Sequence, residues 1–372
     1  MPGSTYGRLY RITTWGESHG DTTGVVVDGC PPEMELSEED IQQQLDRRKP
    51  GQSKLTTQRK EQDKVRIMSG VFQGKTLGTP IAMMVENKDP RASDYQDMKD
   101  IYRPSHADMT YDQKYGFRNW MGGGRASARE TLSRVAAGAI AQKWIHQEYG
   151  FEIVSWVRKV NTLELEDVDR DTISREDVET NNVRCPDDQL AETMAERIQQ
   201  AREDGVSLGG VVEMVARNCP AGWGEPVFDK LDGKLGHHFL SIPATKGVEI
   251  GSGFRGVEWN GAQHNDEFVI EDGQIRTKTN HAGGILGGIS NGMPITARIA
   301  FKPTSTINHP QQTVNADGEA VTLSAKGRHD PCVVPRAVPI VEACTAITLM
   351  DLALQDRGQM GPRCGDVKPI GG

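Results

Sequence analysis

The chain has 372 residues, 36% hydrophobic and 26% charged, the balance of a soluble globular protein rather than a disordered or fibrous one. No stretch carries the ~18 consecutive apolar residues of a membrane span, and residues 1–11 show no apolar core of a secretory signal. A net charge of −9 argues against general nucleic-acid binding and makes any local basic cluster stand out.

In chain order, Gly24 to Asp28 (GVVVD) has strand character. Ser37 opens a helix through Arg48, with Asp40 at the capping-box position and Pro50-Gly51 closing it. Ile81 to Glu86 (IAMMVE) is a second strand. Ser127 and Glu130 form the expected capping box of a helix. Its apolar face runs Leu132, Val135, Ala136, Ala139, Ile140 and Trp144, and Gly150 stops it. A third helix covers about Asp188 to Asp204, with Leu190, Met194, Ile198 and Ala201 on one face. Gly210 to Arg217 and Ile295 to Phe301 alternate as half-buried strands do, with Val212, Met214 and Ala216 set against Glu213, Val215 and Arg217. A last helix runs from near Pro335 to Asp356, with Pro339 placed in its first turn. Helices and strands do not alternate strictly, which points to an α+β fold. Without a linker or an internal repeat, residues 1–372 read as one domain.

Four stretches carry polar chemistry. TTWGESHGD (13–21) brackets Ser18 and His19 with glycines, reading either as a capped turn or as a ligand contact. RRKPGQSKLTTQRK (47–60) is basic throughout, either an anion trap or a solvated charged face. It lacks the interleaved aromatics of an RNA site. The segment 103–131 holds His106, Asp108, Arg118, Arg125 and Arg129, and three glycines lead towards a helix N-terminus that favours phosphate. Ser290 to Cys332 places Lys302, Thr304, Ser305 and Thr306 at a strand end, then Arg328, His329 and Asp330 before a helix. Asp330 is either its N-cap or an acid/base group.

Two patterns are set aside. GSGFRG (251–256) matches the dinucleotide fingerprint in letters but is not followed by a helix pattern. His237, His238, His264 and His281 lack metal-ligand spacing, so no metal is expected. Six cysteines occur singly, as reduced thiols would, which implies a cytoplasmic address.

Taken together, these motifs resemble the chorismate synthase family. GESHG (16–20), DRRKPGQS (46–53), TTQR (56–59), SGVFQGKTLGTPI (69–81), RPSHAD (103–108), KYGFR (114–118), GGGRASARET (122–131), RVAAGAIA (134–141), NHAGGILGGISNG (280–292), KPTSTI (302–307) and GRHDPC (327–332) match it in order over nearly the whole chain. The resemblance implies a layered sandwich of helices and antiparallel or mixed sheets, working as a homotetramer. It implies a 1,4-anti elimination of phosphate from 5-enolpyruvylshikimate 3-phosphate (EPSP). The family uses reduced FMN without net redox change, with NADPH only indirectly as a source of reductant. An external flavin reductase is the expected partner, because no reductase domain is visible.

The resemblance also assigns roles. His106 corresponds to the histidine that protonates or stabilises reduced flavin, and His19 to the one that protonates the departing phosphate. Asp330 corresponds to a proton acceptor, and Ser18 and Ser127 to relay serines. Flavin contacts fall on Arg125, Ala126, Ser127, Pro243, Ala244, Gly287, Lys302, Pro303, Thr304, Ser305, Thr306 and Arg328. Arg48, Arg129 and Arg328 are implied for the substrate anion, and Arg48 with Lys54 for an NADP contact. Lys54 and Pro243 depart from the residues usual in the family, as do Asn119 and Met121.

Overall fold

The computed structural model describes residues 3–51, 62–88, 92–166, 168–325 and 330–361. Five strands form a first antiparallel sheet: β1 (Thr5–Tyr6), β2 (Arg11–Trp15), β3 (Thr22–Asp28), β4 (Val65–Ile67) and β5 (Ile81–Glu86). They lie in the order β1-β2-β3-β5-β4. Helix α1 (Glu38–Arg48) bridges β3 and β4, and the Ser37–Asp40 capping box expected from the sequence is formed in full. Its buried face, Ile41, Leu45 and Arg48, is turned towards α3 (Thr131–Tyr149). Between them in sequence lies the short α2 (Asp108–Tyr115).

The second sheet is built from β6 (Glu152–Val160), β7 (Leu163–Glu164), β8 (Gly210–Arg217), β9 (Thr245–Ile250) and β10 (Ile295–Phe301). Its order is β9-β10-β8-β6-β7, again antiparallel throughout. The remaining long helices are α4 (Asp188–Glu203), α5 (Leu231–Leu240) and α6 (Val334–Met360). Helix α3 packs on the first sheet, α6 on the second, and the two helices pack on each other. The result is a β–α–β sandwich of the α+β class. One continuous cluster of buried apolar side chains runs from Tyr10 to Ala353.

This layering explains α6. By length and composition it is apolar enough to cross a membrane, yet nearly all of that stretch is buried inside the protein. A helix covered on every side loses the polar stripe of a surface helix. Its Pro339 sits in the second turn rather than the first, because the helix begins at Val334. The carbonyl of Pro335, which loses its helical donor there, accepts instead from Arg184 Nη1 at 2.7 Å.

Two further expectations change. In β8 the alternation does not separate core from solvent, because Val212 to Ala216 are all buried. Glu213 on the supposed outer face is 2% exposed and is held by Arg158 at 2.8 Å and Arg170 at 2.6 Å. Similarly, Arg47 is neither an anion trap nor a solvated charge. It donates to the fully buried Glu342 of α6 at 2.5 and 3.1 Å and to Glu179 at 2.7 Å.

The α3–α6 contact is close enough to specify a missing side chain. A Cβ on Gly138 would fall 2.4 Å from Ala343 Cβ and 2.6 Å from its Cα. Gly138→Ala gains up to ~1 kcal/mol of helix propensity, but the overlap is with backbone and forces the helices apart. A net loss of about 1–3 kcal/mol is expected, read as a lowered urea midpoint at unchanged slope.

Candidate active site

A cavity of about 480 Å³ opens where the end of β10, the start of α6 and the turns before α3 meet. That volume lies in the ~300–1,000 Å³ range of small-molecule and cofactor sites. Its described wall includes Ser18, His19, Arg48, His106, Arg125, Ala126, Ser127, Arg129, Pro243, Ala244, Lys302, Thr304, Ser305, Thr306 and Asp330. Stretches separated by more than 300 residues in sequence thus face one space. Of the other residues singled out by sequence, Gly287 and Pro303 do not line it. Lys54 and Arg328 lie outside the described residues.

The two turns that present the histidines are each held from behind. His106 Nδ1 is 2.8 Å from Asp108 Oδ1. Burial lowers the His106 pKa below the ordinary imidazole value; the bond to Asp108 opposes this, and the charges of Arg103 and Arg118 add to it. Ser105, just before it, adopts a left-handed φ of 59°, a conformation that costs a non-glycine residue on the order of 1 kcal/mol. Lys302 Nζ donates to the Ser105 carbonyl at 3.3 Å and so braces that turn. His19 Nδ1 is 3.0 Å from Ser18 Oγ, and its ring meets the edge of Tyr95.

Gly122 fits against this pair. It has φ +83°, and a Cβ on it would lie 2.3 Å from His19 Nδ1 and 2.8 Å from Ser18 Oγ. Gly122→Ala is therefore expected to fold but to push His19 out of place. Misplacement on this scale costs up to ~10²-fold in rate, so kcat should fall by at least about tenfold with a melting temperature within a few degrees of the parent.

The glycine run does not lead straight into α3. Two tight turns, Gly124–Ala126 and Ala128–Glu130, intervene. Ser127 Oγ accepts from the Arg129 N–H at 3.3 Å, but the expected capping box is absent. The Glu130 carboxylate instead accepts from Thr14 Oγ1 at 2.8 Å and from Arg134 Nε at 2.9 Å. The Arg125 guanidinium lines the cavity yet donates to Thr14 and Gly16 of the first sheet region, at 2.6 to 3.1 Å.

The deep end is an arginine cluster knitted by two carboxylates. Asp63 accepts from Arg48 Nη1 at 3.2 Å and from Arg129 Nη1 at 2.9 Å. Arg129 also donates to Asn87. Asp330 pairs with Arg336, whose Nε donates to the Arg48 carbonyl at 3.2 Å. Asp330 is thus not the N-cap of α6; Val333 occupies that position, with no side-chain cap bond. Arg48 is 1% exposed, and burial lowers its pKa to about 9, with Asp63 opposing the shift. Its Nε is buried and makes no hydrogen bond among the described residues. A buried N–H left so costs about 1–3 kcal/mol until an acceptor arrives.

The charge balance completes the picture. Arg48, Arg103, Arg125, Arg129, Arg134, Lys302 and Arg336 line the cavity against only Glu130 and Asp330 among the described carboxylates. In a protein of net charge −9, this is a local positive funnel for an anion carrying several charges. Sequence reading passed over Asp63, Arg134 and Arg336. Asp63 and Arg336 lie in no motif that announces them, and Arg134 and Arg103 are visible only as the first residues of RVAAGAIA and RPSHAD. Arg336 has no local signal at all; the path of α6 brings it to the site.

Comparison with known proteins places the chain in a family. The chorismate synthase family model matches residues 10–354. The chain is 60% identical over 357 residues to a chorismate synthase of a Cyanothece species, covering 96% of this chain and 98% of that one. It is 59% identical over 358 residues to a chorismate synthase of Synechocystis, covering 96% and 99%. A solved chorismate synthase crystal structure superposes with a TM-score of 0.75 at 32% identity, covering 95% of this chain and 94% of that one.

Proposed function

The chain belongs to the chorismate synthase family of lyases, and we propose that its cavity removes phosphate and a C6 hydrogen from EPSP to give chorismate, the last common step of aromatic amino acid biosynthesis. The observation that supports this reading is the cationic cavity with two histidines at its rim. EPSP carries a phosphate and two carboxylates, which need several fixed cations once water is displaced.

In the elimination, the C3–O bond to phosphate breaks with its electron pair, the C6 hydrogen leaves, and a conjugated diene forms in the ring. Reduced FMN is the cofactor the family implies, and the cavity suits it. The volume, the Thr304–Thr306 hydroxyls, Lys302, the Ala126–Ser127 turn and the Pro243–Ala244 backbone fit a flavin phosphate and ring. Bound reduced FMN would supply electron density that the protein lacks, because no side-chain base is strong enough to take the C6 hydrogen alone.

The chain's own residues do the rest. Arg48 and Arg129 hold the substrate anion, and the buried Arg48 Nε gains the acceptor it lacks. His19 delivers a proton to the departing phosphate oxygen from its Nε2, with Ser18 on the opposite nitrogen. His106, which lines the cavity with its Nδ1 on Asp108, holds or releases a proton at its Nε2 for the flavin that would bind there. Asp330, paired with Arg336, acts in this reading as the proton acceptor. Ser127 completes the relay beside Arg129.

A homotetramer in the cytoplasm, fed reduced flavin by a separate reductase, accords with this reading. The five described cysteines are unpaired and buried, as a reducing compartment allows. An RNA-binding module based on residues 47–60 gains no support from the described part of that segment, because Arg47 is engaged by the buried Glu342 and Arg48 is itself buried; Lys54, Arg59 and Lys60 lie outside the described residues.

The test is an anaerobic assay of the purified protein with EPSP and chemically reduced FMN. Diene absorbance and phosphate should rise together, with flavin catalytic and no reductant consumed. Stoichiometric NADPH consumption would indicate ordinary hydride chemistry, and no product at all would overturn the reading.

A further inference from the structure

Asp108 has no part in the chemistry above, yet it is bonded as tightly as any group at the site. It is 4% exposed and opens α2. Its carboxylate accepts from Arg103 at three points, the backbone N–H at 3.1 Å, Nε at 2.8 Å and Nη2 at 2.7 Å. His106 Nδ1 is the fourth partner at 2.8 Å, and Arg118 adds a cation at 3.7 Å. Burial alone would raise the pKa of this carboxyl, but the bonds from Arg103 and His106 hold it well below the usual range.

A carboxylate that stays ionised can only accept hydrogen bonds. The proton on the Asp108 side of the ring must therefore sit on Nδ1, leaving the Nε2 lone pair for the other edge. Arg103 reaches further, since its Nη2 also donates to the Gly122 carbonyl at 3.0 Å. Gly122 is the residue on which Ser18 and His19 rest. One buried ion pair thus connects the supports of both histidines.

The geometry points to Asp108 as a positioning residue: it fixes His106 as the Nδ1–H tautomer with Nε2 offered to the cavity, and through Arg103 it braces the turn beneath His19. The charged and titratable groups around His106 are Arg103 and Asp108 on its own turn, Arg118 after α2, and Lys302 at the end of β10. Glu17, Tyr111 and Arg125 line the small cavity of about 120 Å³ behind it. None of these except Asp108 offers Nδ1 a hydrogen-bond acceptor among the described contacts. This assignment deepens the elimination reading and rests on it for the kinetic readout alone.

The test begins with nitrogen-15 NMR of the histidine rings in the full-length, ligand-free protein, with His106 assigned by comparison with His106→Ala. Wild type should show the Nδ1–H tautomer at neutral pH. Asp108→Asn can offer Nδ1 either an acceptor or a donor, so it should shift His106 towards the Nε2–H form and move its titration. In turnover, Asp108→Asn should lower kcat on the order of 10²-fold with KM changed less than about threefold. Asp108→Glu should restore part of the rate and the original tautomer. An Nε2–H tautomer in wild type, or an Asp108→Asn protein with native tautomer and pH profile, would overturn the assignment. A tautomer shift in a protein that makes no diene would sink the elimination reading and leave the positioning role standing. Should Asp108→Asn fail to fold, the wild-type tautomer and Asp108→Glu decide.

Discussion

Replacing His106 with alanine is expected to lower turnover on the order of 10²–10⁴-fold while leaving the fold intact. The imidazole lines the cavity and, among the described residues, makes one side-chain hydrogen bond, to Asp108. Its removal therefore opens a small polar space next to an existing cavity rather than a void in the core. Asp108 remains satisfied by Arg103. Anaerobic diene formation measures the loss, and thermal melting checks the fold. Near-native turnover in a folded variant would show that His106 has no chemical role.

The same residue carries a pH signature with a definite sign. In the ligand-free protein, burial holds its pKa below the ordinary value of about 6.5. An anion beside Nε2, as bound reduced flavin would be in the proposed function, favours the imidazolium and raises that value. Binding should then take up a proton, and affinity should increase as the pH falls through the bound value, levelling off below the lowered free value. Calorimetric titration in buffers of different ionisation enthalpy reads the proton uptake directly. Proton release on binding would contradict the placement of the anion near this ring.

The largest loss of stability is expected from Glu342→Ala. Glu342 is fully buried between α6 and the second sheet, accepting from Arg47, from Arg175 at 3.3 Å and from the Ser155 N–H at 3.3 Å. Removing it takes away the buried partner of Arg47, leaving that largely buried cation with the half-buried Glu179 as its carboxylate among the described residues, and removes the acceptor of the Ser155 N–H. Breaking a buried pair in this way costs about 3–5 kcal/mol. Chemical denaturation should show the drop, whereas an exposed pair such as Arg11–Asp28 should change little when broken. A loss under about 1 kcal/mol would mean that the pair is not desolvated as the structure has it.

The pH dependence follows by linkage. Burial alone would raise the Glu342 pKa, but Arg47 and Arg175 outweigh it and the net shift is downwards. A depressed carboxyl contributes stability that is fully present above its unfolded pKa of about 4.3 and is lost as the pH falls through the folded value. Wild type should therefore lose stability below about pH 4.3 more steeply than Glu342→Ala does.

Local chemistry determined much of this protein without help from the rest of the chain. The Ser37–Asp40 cap, the Gly150 stop of α3, the α4 face and the existence of four strands were legible because caps, periodicity and strand-forming runs act over a few residues, whereas the alternation in β8 did not tell which of its faces is buried. Ser18, His19, His106, Arg125 and Asp330 were legible as chemistry because they lie in dense polar motifs, and all five line the cavity. What those residues bond to was decided by tertiary structure. Asp330 turned out to pair with Arg336 rather than cap a helix, and Glu130 to join Thr14 and Arg134 rather than close a capping box. Arg47 looked like a surface cation and is instead the partner of a core carboxylate almost 300 positions away in sequence. Asp63 stands in no motif, yet it ties Arg48 to Arg129. A buried charge is defined by a partner that burial brings to it. That partner is chosen by how two sheets close over α3 and α6, and no local pattern records the choice.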